Sequence, residues 1–67
     1  MTYENFVKIA GSYMAELSKN TDDSDDVDNA AWNGAADAML AVGMRFGVPY
    51  RKVAADLQRE HDRWERR

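Results

Sequence analysis

Phe46-Gly47-Val48-Pro49 separates two stretches of helical periodicity, and its reading decides the fold. A glycine just past an apolar run suits the left-handed position that closes a helix, and Val48 supplies the hydrophobic contact that often follows. Proline lacks an N–H, which costs nothing in the first turn of a helix, so Pro49 opens the next one. Upstream, Trp32, Ala35, Met39, Val42 and Phe46 recur at three and four, a heptad-like seam that predicts a helix over about 29–46. Around it Ala30, Ala31, Gly34, Ala36, Ala38, Ala41 and Gly43 are small enough to admit a neighbouring helix closely, while Leu40 and Met44 lie away from the seam's centre. This helix reads as apolar on nearly every side, so it is expected to be central or partly covered by a second chain.

Downstream, Tyr50, Val53, Ala54, Leu57, His61 and Trp64 share one side of a helix over about 49–65. The other side carries Lys52–Asp56 and Asp62–Arg66 four apart, and Asp56–Arg59 and Glu60–Arg63 three apart. Such pairs on an exposed helix are each worth about 0.2–0.5 kcal/mol. At the start of the chain, Tyr3, Phe6, Val7, Ala10, Tyr13, Met14 and Leu17 form a single apolar stripe and predict a helix over about 3–18. Thr2 suits its N-cap and Glu4 its positive end. Gly11 and Ser12 weaken its middle and mark a close approach to another helix. The acidic segment 19–28 connects this helix to the next, with Ser24 or Asp26 as candidate caps and a boundary anywhere from Ser24 to Asn29. The fold class expected is all-α, one domain of three helices.

Sixty-seven residues without a cysteine make a thin core with neither disulfides nor thiolate zinc to reinforce it. A second subunit would add to that core, and a homodimer is an expected arrangement. Residues 1–20 include Glu4, Lys8 and Glu16 and no long apolar run, which excludes a signal peptide and a membrane span and points to a cytoplasmic protein. Residues 1–46 set three cations against eight carboxylates, whereas residues 47–67 set six against four. The net charge of −3 speaks against bulk nucleic-acid binding, which draws on a basic footprint.

The run Asp22-Asp23-Ser24-Asp25-Asp26-Val27-Asp28 is the most conspicuous local feature. It is not a calcium loop: counted from Asp22, Val27 stands where glycine is needed and Asn33 where the bidentate glutamate belongs. No metal is expected. A solvated connection that caps a helix accounts for the run. As a functional surface, its carboxylates would compete for a basic site built to hold phosphates, the mode of a small phage or mobile-element inhibitor. On that reading Asp22, Asp23, Asp25, Asp26 and Asp28 bind a protein partner, by occlusion or charge mimicry, and Trp64 near the C-terminus adds an aromatic anchor.

The stretch from Ala41 to Val53 resembles the helix-turn-helix pattern of DNA-binding proteins, with Gly43, Gly47, Val48 and Val53 at the places that keep its two helices packed. The resemblance implies a small DNA-binding regulator in which Tyr50, Arg51 and Lys52 open a recognition helix and Arg59 and Arg63 approach phosphates. Asp56 departs from the pattern, falling where an apolar residue is usual, and Leu57 comes one residue late.

His61 has no second histidine or cysteine beside it in sequence and reads as an edge of the packed face. Neither a nucleophile–base pair, a phosphate-binding glycine loop nor a cofactor motif is present in the sequence, so no enzymatic activity and no cofactor are expected. Trp32, Phe46, Tyr50 and Trp64 are expected to form the core. The function expected first is a small acidic helical protein that binds a protein partner, and the second is the DNA-binding regulator.

Overall fold

The computed structural model describes residues 1–21 and 24–66, which form α1 (Tyr3–Lys19), α2 (Asp26–Met44) and α3 (Tyr50–Glu65). The fold is all-α, as the periodicities require. Thr2 caps α1, its hydroxyl accepting the Asn5 N–H at 3.1 Å. At the far end the Thr21 hydroxyl donates to the Leu17 carbonyl. The cap of α2 is Asp25, whose carboxylate accepts from the N–H groups of Val27 at 2.8 Å and Asp28 at 3.3 Å. A good cap starts a helix whether or not its first turn has anything to bury. That is why α2 begins at Asp26, six residues before the apolar seam that starts at Trp32.

The end of α2 tightens. The N–H groups of Arg45, Phe46 and Gly47 each bond to the carbonyl three residues back, at 3.1, 3.2 and 3.0 Å. Gly47 then takes φ 82°, the left-handed conformation expected of it. Pro49 stands one position before α3, at its N-cap rather than in its first turn, and its carbonyl accepts from Lys52 and Val53.

The helices run up, down and up. Phe46, at the end of α2, lies 5.5 Å from the ring of Phe6 near the start of α1, and Trp32 reaches back to Ser18 at the end of α1. The most extensive pairing is between α1 and α3, the first and last helices. Phe6, Val7 and Ala10 of α1 close on Val53 and Leu57 of α3, with Val53 wholly buried. Tyr3, Met39, Leu40 and Val48 pack around them. Two glycines let the backbones meet. A Cβ at Gly11 would fall on that of Glu60, and one at Gly43 would collide with Val53 and crowd Phe6.

Two expectations are corrected here. First, α2 is not central: Gly43 is its one buried residue, and it lies along the α1–α3 pair. Its heptad-like seam does not predict its inner face. Over 19 residues a straight helix drifts away from a 3.5-residue repeat, so Trp32, Ala35 and Met39 face inward while Leu40 and Gly43 take over from Val42. Phe46 lies past the end of the helix and rests on Tyr3 and Phe6. Second, the core is aliphatic and phenylalanine-based. Trp32 and Trp64 are half-buried, and Phe46 and Tyr50 are 39% and 55% exposed. Among the described residues no helix is long and apolar enough to cross a membrane.

Candidate interaction surface

Because α2 leans on the domain along one side only, its opposite side is open. Asp28, Trp32, Ala35, Ala36, Met39 and Leu40 are half-buried on the inner side. Val27, Ala31, Gly34, Ala38 and Ala41 lie exposed on the outer side, spaced four, three, four and three. Val42 and Met44 extend this apolar strip, each 46% exposed, and Val27 is 76% exposed at its start. Nothing stands within 4 Å of where a Gly34 side chain would begin. The strip is open at Gly34; Asp26, Asn33 and Asp37 punctuate it with acidic or neutral polar groups, and the exposed Arg45 stands at its C-terminal end.

The aspartate run borders the same helix. Asp25 is its cap, and Asp26 and Asp28 stand in its first turn, where the helix dipole favours negative charge. Their placement fits both the capping role and the acidic partner surface. Asp22 and Asp23 lie outside the described residues. Trp64, expected as an exposed anchor, is half-buried, and its indole N–H donates to Glu60 at 3.0 Å.

The residues of the DNA-binding reading divide. Tyr50 and Arg51 stand exposed at the start of α3. Lys52 and Arg59 are drawn to Asp56, which accepts from Lys52 Nζ at 2.8 Å and Arg59 Nη2 at 3.0 Å. The Tyr3 hydroxyl also donates to Asp56 at 2.8 Å, and the Lys52 ammonium lies 5.6 Å from the centre of the Tyr3 ring. Asp56 was expected in an exposed pair and is instead buried. The reason is Tyr3, 53 residues away, which covers it and gives it a third donor. Hydrogen bonding from Lys52 above all, then from Tyr3, holds the Asp56 carboxyl below its ordinary range against the opposing effect of burial. The Tyr3 phenol is pushed up to about 12, first by burial and then by its bond to a carboxylate.

A second polar cluster joins all three helices. The Trp32 indole N–H donates to the Ser18 hydroxyl at 2.8 Å, and that hydroxyl lies 3.0 Å from His61 Nε2. The hydroxyl accepts from the indole and either donates to Nε2 or accepts from it according to the imidazole tautomer, while Nδ1 lies 3.4 Å from Asp62. Gln58 also donates to Asp62, and this bond, followed by the one to His61, lowers the Asp62 carboxyl below its usual range. Serine, histidine and aspartate thus come together although nothing in their spacing along the chain suggests a nucleophile–base pair. Ser18 sits in the last turn of α1, however, where neighbouring N–H groups bond to helix carbonyls and are not aimed at a developing oxyanion. The relay fastens helices. Among the described residues, His61, Asp62 and Glu65 place potential metal ligands within 4.8 Å of one another, but a cation there would compete with the bonds His61 makes to Ser18 and Asp62. Spacing in the sequence shows the Lys52–Asp56 and Asp56–Arg59 pairs but neither the Tyr3 bond to Asp56 nor the links of Ser18 to Trp32 and His61, which join residues far apart in the chain.

No protein-family model matches the chain, and neither a curated protein nor a solved structure resembles it.

Proposed function

We propose that this protein is a small helical interaction module that binds a protein partner through the outer side of α2. The observation that carries the reading is the exposure of Val27, Val42 and Met44 along a strip of alanine and glycine on a helix that buries one residue, Gly43. Contiguous exposed apolar surface of this kind commonly marks a contact surface. Small side chains let a second helix approach closely, which favours a helical partner over a loop. Asp26 and Asp37 flank the strip, and Asp25 and Asp28 add charge at its N-terminal end, so the partner helix is one whose apolar stripe is edged by Lys or Arg. DNA reading has less to draw on, since Lys52 and Arg59 are tied to Asp56.

Site-specific photocrosslinking tests this. A crosslinker at Ala38 should yield one discrete protein adduct, and the same group at exposed Glu4 should not. Gly34→Arg, which adds bulk and positive charge at an open position, should abolish that adduct while leaving the helical circular dichroism intact. An adduct insensitive to Gly34→Arg, or equally strong from Glu4, would refute the assignment of the surface. Sedimentation of the protein alone separates a second copy of the chain from a different partner.

A further inference from the structure

We infer that the cleft between α2 and α3 is a binding site for a small, uncharged, single-ring aromatic molecule. The cleft has a volume of about 130 Å³. An apolar cavity of about 150 Å³ is large enough to hold benzene. It is lined by the buried Met14 and Leu57, by Met39, Leu40 and Ala54, and by Trp32.

The lining selects the ligand in two ways. Met14 and Met39 bring thioethers, which favour contact with aromatic rings, and Trp32 and His61 meet nearly perpendicular, 84° apart, in the lining. A flat ring finds an edge and a face there. The polar groups of the lining, meanwhile, are turned to partners inside the protein. Trp32 donates to Ser18, His61 is bonded to Ser18 and Asp62, and Gln58 donates to Asp62. A charged ligand would lose its hydration and gain no replacement. The cleft exists because Ala36 and Ala54 line it where larger side chains would fill it. It is formed by the inner side of α2, away from Gly34, so this inference stands apart from the partner surface.

Toluene is the probe, titrated into ¹⁵N-labelled protein and followed by amide chemical shifts, with benzoate as the charged counterpart of the same ring. Saturable shifts centred on Met39, Ala54 and Leu57 are expected, with a dissociation constant on the order of 0.1–1 mM for so small a ligand. Benzoate should produce no such shifts at matched concentration. Ala54→Leu, which fills the cleft, should eliminate toluene binding without lowering the melting temperature, and Ala36→Leu provides the same test from the opposite wall if the first variant folds poorly. Three results would each overturn the inference: shifts that do not saturate before toluene reaches its solubility limit, equal binding of benzoate, or undiminished binding by a folded cleft-filled variant.

Discussion

Asp56 accepts a phenol, an ammonium and a guanidinium, and the energetic weight of that arrangement lies in its burial. An exposed ion pair is worth a few tenths of a kcal/mol, whereas a hydrogen bond to a charged group that is largely out of water contributes about 1.5–3 kcal/mol. Asp56→Asn is therefore expected to destabilise the fold by about 1–3 kcal/mol in urea unfolding, well beyond the effect of neutralising exposed Asp37. The sign of the pH dependence follows from the lowered Asp56 carboxyl. Between its folded value and the unfolded value of about 3.9, the unfolded chain binds more protons, so stability is complete above that range and declines as pH falls through it. At the alkaline end the sign reverses. The Tyr3 phenol keeps its proton to about 12, so from pH 10 upward the unfolded chain ionises first and stability falls. Absorbance titration should show a late-ionising phenol that is missing in Tyr3→Phe.

Glycine has opposite consequences on the two sides of α2. Gly34→Ala meets nothing and removes a poor helix former, so it should raise stability by about 1 kcal/mol. Gly43→Ala makes the same gain in propensity but drives a methyl group into Val53, which is fully buried and cannot move aside, so a net loss of about 1–3 kcal/mol is expected. Melting curves of the two variants, displaced in opposite directions from wild type, check this. Loss of stability in both would mean that the outer side of α2 is not open. The same helix shows how far the sequence could be read. Its existence followed from periodicity and its end from Gly47, whose left-handed conformation is a local steric matter. Its inner side did not follow, because alanine and glycine give no contrast between faces and any three-four spacing can be drawn through them. The aspartates at its start were legible as caps, though Asp25 rather than Ser24 or Asp26 holds the position. Choosing among adjacent carboxylates depends on backbone dihedrals that spacing does not specify.

At the scale of the molecule, the first and last helices supply the core and the middle one supplies the open surface. This division was illegible because it is a matter of pairing: α1, α2 and α3 each carry an apolar side, and no local pattern says which two sides meet. The Asp56 and His61 clusters were hidden for the same reason, their partners Tyr3 and Ser18 lying 53 and 43 residues away. Removing α3 should accordingly abolish the fold rather than trim it. A chain ending at Val48 leaves Phe6, Val7 and Ala10 without Val53 and Leu57, and its far-UV circular dichroism should show little helix and no cooperative melt. A stable, cooperatively melting two-helix fragment would contradict the packing described.

The pairing of α1 with α3 also sets the order of events on the ribosome. As the chain emerges, Phe6 and Val7 come out first and must wait for Val53 and Leu57, which follow only after the whole of α2. The core cannot assemble before α3 has emerged, so the nascent chain carries Phe6, Val7 and Ala10 uncovered until then. For that interval it is a natural client for chaperones and a target for proteases, and a chain cut short before α3 is degraded rather than folded into a smaller protein.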